Sequence, residues 1–149
     1  MAHLFYVALF KSGQAWFPHR GALAATLGIG TAMYAFLWTS GLPPALRAPV
    51  AAYVLVIALM AAQAIGRATV LRDAASLCVA IGAGFFMLSD SLLATNRFVT
   101  PLPMAQVWVL ATYYAAQALI VAGMLRGTAR AEPSLSLIHI SEPTRQEAI

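Results

Sequence analysis

The chain alternates long apolar stretches with short polar separators. Four stretches are long enough to cross a bilayer, which takes about 20 apolar residues in a helix, and they are 21–39, 48–66, 74–94 and 102–125. A fifth stretch, 2–10, is too short to cross, and we interpret it as the end of a truncated span. The pattern predicts an all-α fold: a polytopic transmembrane helix bundle with four complete spans and one partial span.

Composition supports a membrane protein. The 149 residues are 61% hydrophobic and 9% charged, with a mean hydropathy of +0.78, whereas soluble domains average about 25% charged residues. The net charge of +4 comes from basic residues scattered through the separators, without a basic stripe, so we expect no nucleic-acid partner. Cys78 is the single cysteine, and we expect no metal and no cofactor. No protein partner is evident either.

The basic residues also predict the orientation in the membrane. When the spans alternate, one side receives six basic residues and the other side two, Arg47 and Arg97. Because Lys and Arg are enriched in cytoplasmic loops, the six-residue side and the C-terminus are expected in the cytoplasm, with a bacterial inner membrane as the location. The six residues are Lys11, Arg20, Arg67, Arg72, Arg126 and Arg130.

Two further features concern the ends and the packing of the bundle. We assign 1–130 to the transmembrane domain and 131–149 to a non-native or disordered tail, because 135–146 resembles the translation of a sequencing adapter. Proline is tolerated at a helix entry, and we expect Pro49 and Pro103 there. Small residues four apart, Ala24 with Gly28 and Ala80 with Gly84, predict close helix packing.

Asp90 is a single carboxylate inside an apolar, helix-length stretch. An ionisable group at membrane depth costs about 2.5 to 3.5 kcal/mol on insertion scales, so such residues usually have a function or a partner. On the predicted span, Asp90 lies about four residues, roughly 6 Å, from the end. The structural alternative is an ion pair with Arg97, seven residues on and so on nearly the same helix face. We favour a catalytic role.

Other polar side chains within or beside the spans are candidates for binding substrate or orienting water. Tyr113 and Gln117 are four residues apart and therefore share a helix face. Polar side chains in membrane helices also commonly just hydrogen-bond a neighbouring helix, and this alternative stays open for each candidate. The candidates are His3, Ser89, Asn96, Tyr113 and Gln117.

Three segments resemble one known family. Residues 82–98 read GAGFFMLSDSLLATNRF, residues 112–123 read TYYAAQALIVAG and residues 3–10 read HLFYVALF. Together they are similar to the YhhN family of lysoplasmalogenase-like membrane proteins. The resemblance implies an eight-helix protein that cleaves the vinyl ether bond of lysoplasmalogen, a lysophospholipid in the membrane, to a fatty aldehyde and a glycerophospho-base. The early helices of the family, with a Gly-Asp motif, are absent from this sequence.

A vinyl ether is hydrolysed by protonation at carbon, followed by capture of the oxocarbenium ion by water. That reaction needs a carboxylic acid that keeps its proton and a partner that orients the water. We therefore expect Asp90 to be one member of a carboxyl pair, with the other member in the missing N-terminal part. Two alternatives remain: a proton- or ion-coupled transporter, whose path intramembrane Asp, Gln and Tyr can also line, and a non-catalytic lipid-binding protein.

Overall fold

Four helices make up the regular structure of residues 17–140. The computed structural model describes residues 17–140, with side chains as far as residue 129. The helices are α1 (Arg20–Thr39), α2 (Pro44–Leu71), α3 (Ala74–Phe98) and α4 (Ala105–Ile140). Each is long and apolar enough to cross a membrane, and no strand occurs among residues 17–140. The predicted all-α, polytopic fold is confirmed. The predicted partial span, 2–10, lies outside the described residues.

Local sequence signals explain where three of the helices begin. The His19 imidazole accepts a hydrogen bond from the Ala22 N–H at 3.0 Å, and the Asp73 carboxylate accepts one from the Ser76 N–H at 2.7 Å. Both side chains satisfy N–H groups that have no partner within the first turn of the helix. Pro44 opens α2, where a missing N–H costs nothing.

Several predicted boundaries need correction. Pro49 lies inside α2 and not at its entry, so that prediction is wrong. The α3 helix continues to Phe98, which places Asp90 eight residues, about 12 Å, from its C-terminal end instead of four residues. The α4 helix continues to Ile140 and so includes the first residues of the predicted tail. The non-native origin of that tail stays a prediction.

Each helix packs mainly against the next one along the chain, and the contact between α3 and α4 is the most extensive. A buried apolar core joins α2, α3 and α4. Large apolar side chains such as Leu77, Leu88 and Trp108 stay exposed on the outer faces, as expected where lipid replaces water around a helix bundle. The core consists of Ile57, Met60, Ala61, Ala64, Val79, Ala83, Phe86, Ala116 and Ile120.

Glycines allow the close approach of α3 and α4. A Cβ built on Gly123 would lie 2.6 Å from the Ala75 carbonyl oxygen, and one on Gly82 would lie 2.9 Å from the Ala116 carbonyl oxygen. A Cβ on Gly28 or Gly84 would meet nothing within 4 Å in the described part of the chain. The prediction that Gly28 and Gly84 mediate close packing is therefore wrong, and Gly82 and Gly123 have this role.

Candidate active site

A cavity of about 400 Å³ lies between α1, α2 and α3. It exists because α1 and α3 both pack against α2 and barely touch each other. Its walls are mostly aliphatic or thioether side chains, and among the described residues Asp90 and Arg97 are the charged side chains that line it. The aliphatic and thioether lining includes Ile29, Met33, Leu37, Val54, Ile57 and Met87.

Asp90 is partly buried in the wall that α3 provides. Its Oδ2 accepts a hydrogen bond from the Tyr53 hydroxyl of α2 at 3.2 Å. Tyr53 is nine residues from the start of α2, and Asp90 is eight residues from the end of α3. In antiparallel neighbours these positions lie at equal depth, about 12 to 14 Å from the same end of the bundle. The Tyr53 hydroxyl therefore orients the carboxyl group, and none of the described residues donates a hydrogen bond to its second oxygen.

The alternative of an ion pair between Asp90 and Arg97 is not realised. Within the described residues, Tyr53 is the hydrogen-bond partner of the Asp90 carboxylate, and no ion pair joins Asp90 to Arg97. Arg97 instead lines the same cavity two helical turns further along α3, at the end of the bundle where α3 terminates. The cavity thus has an acid along its wall and a cation near one end.

Two of the predicted site residues contact other parts of the fold. Ser89 is buried, and its hydroxyl donates to the Val109 carbonyl of α4 at 3.0 Å. Asn96, predicted just beyond the span, lies within α3, where its Oδ1 accepts from the Leu102 N–H at 2.9 Å. These contacts connect α3 to α4 and to the loop between them. Neither side chain lines the cavity, and a role in substrate binding stays a prediction for both.

The remaining candidates are on α4 or outside the described region. The Tyr113 ring contacts the rings of Phe86 and Tyr114, with centroids 5.9 and 5.6 Å away. Tyr113 does not line the cavity. Gln117 lies one turn further along α4 and is partly buried. His3 lies outside the described residues. The roles of these three residues stay predictions.

Sequence reasoning missed Tyr53 and Ser91, which both line the cavity. The Ser91 hydroxyl donates to the Met87 carbonyl at 2.8 Å, one turn back on α3. A usable signal for Tyr53 was its depth, because a hydroxyl in one span at the level of a carboxylate in the next span is a natural hydrogen-bond donor. For Ser91 the signal was its position next to Asp90.

A second cavity, of about 460 Å³, lies near the opposite ends of α2 and α3 and includes part of α4. Its carboxylate, Asp73, caps α3 and accepts hydrogen bonds from the Ser76 N–H and hydroxyl. That carboxylate is committed to holding the helix start, so the Asp90 cavity is the better candidate site. Within the described part of the chain, no group of three His, Cys, Asp or Glu side chains is arranged to hold a metal ion.

The fold and the site define a polytopic helical membrane protein with one hydrogen-bonded carboxyl group in an apolar cavity between three helices. The sequence model of the YhhN family matches residues 1–124, and the chain belongs to the YhhN family. This confirms the resemblance found in the sequence.

Three similar relatives share one name. The chain is 34% identical over 125 residues to the human lysoplasmalogenase TMEM86B, covering 84% of this chain and 50% of the relative. It is 36% identical over 126 residues to the rat protein of the same name, covering 85% and 49%. The mouse protein is 35% identical over 126 residues, with 85% and 50% covered. The chain thus spans about half the length of the curated relatives it matches. No solved structure is significantly similar.

Proposed function

We propose that the protein containing this chain is a lysoplasmalogenase, which hydrolyses the vinyl ether bond of a lysoplasmalogen to a fatty aldehyde and a glycerophospho-base. The observation that carries the proposal is a carboxyl group, Asp90, in an apolar cavity between membrane-spanning helices. The relatives named lysoplasmalogenase support the reaction class. The substrate reaches such a site from the lipid phase, which suits an integral membrane protein.

In the proposed mechanism, the Asp90 carboxylic acid donates its proton to the alkene carbon of the vinyl ether that is not bonded to oxygen. The resulting oxocarbenium ion is captured by water, which loses a proton to a base, and the hemiacetal collapses to aldehyde and alcohol. Glycosidases use carboxyl pairs around a similar cation, and we keep the proposal that a second carboxyl group outside the described residues activates the water. An apolar cavity suits the proton transfer, because electrostatic effects are stronger where water is excluded.

The aldehyde assay tests this function directly. A full-length parent protein containing this sequence, reconstituted in liposomes, should release fatty aldehyde from lysoplasmalogen and leave the corresponding ester lysophospholipid intact. A proton-flux measurement on the same liposomes separates the enzyme from a transporter. Flux without aldehyde release would favour the transporter, and neither activity in a correctly folded protein would favour a non-catalytic lipid-binding role.

Tyr53→Phe is expected to lower kcat for aldehyde release about 3- to 10-fold with little change in KM. The variant loses the hydroxyl that donates to Asp90, and one such hydrogen bond is worth about 0.5 to 1.5 kcal/mol net. Tyr114→Phe is the matched control, because Tyr114 is 64% exposed and keeps its ring contact with Tyr113. An equal loss in both variants, or an effect confined to KM, would argue against a positioning role for Tyr53.

We also infer that the C-terminus faces the cytoplasm. In the structure, Arg47 and Arg97 lie toward one end of the bundle, and four arginines of the described residues lie toward the other end, where α1 begins, α2 finishes and α3 begins: Arg20, Arg67, Arg72 and Arg126. This distribution supports the orientation predicted from the sequence. A C-terminal reporter that is active only outside the cytoplasm should stay inactive, and a bacterial inner-membrane location stays a prediction.

A further inference from the structure

Arg97 lies on the same wall of the cavity as Asp90. The two residues are seven apart, which is two helical turns and about 10 Å of rise, with nearly the same direction around the α3 axis. Arg97 is in the last turn of α3 and is exposed. The cavity therefore runs from a cation near the end of the helix, past the carboxyl group, to a purely apolar region.

The other arginine at this end of the bundle is already engaged. The Arg47 guanidinium lies 4.0 Å from the centre of the Trp38 ring, and its Nε donates to the Leu42 carbonyl at 3.3 Å. It does not line the cavity. Arg97 forms no ion pair with Asp90, and among the described residues it is the arginine that lines this cavity.

The spacing fits a lysophospholipid with its phosphate at Arg97. In a lysoplasmalogen, five bonds separate the phosphorus from the ether oxygen, about 6 Å when extended. This length is shorter than the rise of about 10 Å between Asp90 and Arg97 along α3. The long, flexible arginine side chain can cover the difference by reaching toward Asp90. Guanidinium groups bind phosphate through paired, charge-assisted hydrogen bonds. Beyond Asp90, the apolar part around Ile29, Ile57 and Met87 would receive the start of the hydrocarbon chain.

We propose that Arg97 binds the phosphate of the lysophospholipid and thereby places its vinyl ether beside Asp90. This inference rests on the proposed function, in which the bond cleaved lies next to Asp90. It makes Arg97 a substrate-binding residue that selects lipids with a phosphate headgroup over neutral lipids of the same chain.

Binding of two non-cleavable lipids tests the proposal without requiring turnover. The probes are an alkyl-ether lysophosphocholine and the alkyl-ether glycerol of the same chain length, titrated into the purified full-length protein. The unchanged protein should bind the phosphate-bearing lipid more tightly. Arg97→Gln should reduce that preference about 10-fold or more, by weakening binding of the phosphate lipid alone. Arg97→Lys should retain part of the preference, because lysine keeps the charge but not the paired geometry.

Arg72→Gln is the matched control. This substitution also removes one positive charge, but at the end of the bundle opposite to Arg97, directly after α2. Arg72 is exposed and does not line the cavity, so the substitution should leave the preference for the phosphate lipid unchanged. Millimolar inorganic phosphate should not displace the lipid, whereas displacement would indicate a site for free phosphate and overturn the proposal. An equal loss for both probes in Arg97→Gln, or no preference in the unchanged protein, would also overturn it.

A failure of the proposed phosphate site can be distinguished from a failure of the proposed hydrolase function. If aldehyde is released but Arg97→Gln loses as much activity on the vinyl ether of plain glycerol as on lysoplasmalogen, the enzyme proposal stands and the phosphate proposal falls. If no aldehyde is released but Arg97→Gln abolishes the phosphate preference in binding, the phosphate site stands and the hydrolase proposal falls.

Discussion

Asp90→Asn is expected to slow aldehyde release at least about 100-fold, because a positioned general acid contributes roughly 10² to 10⁴ to a rate. The amide has nearly the shape of the carboxyl group and can still accept the hydrogen bond from Tyr53, so the cavity and the helix packing should persist. The amide cannot donate an acidic proton to carbon. The measurement is aldehyde formation from lysoplasmalogen by the full-length parent protein.

Asp73→Asn supplies the control on the same helix. Asp73 caps α3 through the Ser76 N–H, and asparagine caps helices about as well as aspartate. This variant should insert, fold and turn over like the unchanged protein. Turnover of Asp90→Asn within a few-fold of the unchanged protein would remove Asp90 from the chemistry. A loss accompanied by lower thermal stability in detergent would assign Asp90 a structural role instead.

Gly123→Ala is expected to destabilise the bundle by about 1 to 3 kcal/mol, the usual cost of overpacking a close contact. The added Cβ would lie 2.6 Å from the Ala75 carbonyl oxygen and 2.7 Å from a Val79 methyl group. Since one of these neighbours is backbone, rotation of a side chain cannot relieve the clash, and α3 and α4 must separate. Equilibrium unfolding in mixed detergent measures the change in the free energy of unfolding.

Gly84→Ala is the matched control for that prediction. Its added Cβ meets nothing within 4 Å in the described part of the chain, and alanine is favoured over glycine within a helix by about 1 kcal/mol. The control should therefore be neutral or slightly stabilising. Equal destabilisation by the two substitutions would show that the α3–α4 contact does not depend on Gly123.

The helical architecture was predictable because one signal dominates it. Apolar runs of about 20 residues have few structures available other than a spanning helix, and the described residues form four helices long and apolar enough to cross a membrane. The ends were harder to predict. Pro49 is inside α2 because the helix begins earlier, at Pro44, and α3 retains polar Asn96 and Arg97 in its last turns.

The candidate site was predictable only in part. Asp90 stood out because a carboxylate is costly among apolar residues, and it does line a cavity. The sequence could not show that Ser89, next to it, faces α4, or that Tyr53 supplies its hydrogen bond. Those facts depend on how the helices rotate and pair. The contacts of Gly82 and Gly123 depend on the same rotation. The spacing of small residues along a sequence shows where a close contact could form, but it does not show which of those residues faces another helix.

The most direct test of the central claim, that Asp90 delivers a proton to the vinyl ether carbon in this cavity, is the reaction in heavy water. Mass spectrometry of the aldehyde measures the deuterium that it has taken up. A control with preformed aldehyde corrects for deuterium that enters by exchange with the solvent after the reaction. The account predicts one deuterium on the carbon beside the carbonyl, and it predicts that in heavy water Asp90→Asn forms this product at least about 100-fold more slowly than the unchanged protein. Unlabelled aldehyde, or equal rates for the two proteins, would contradict it.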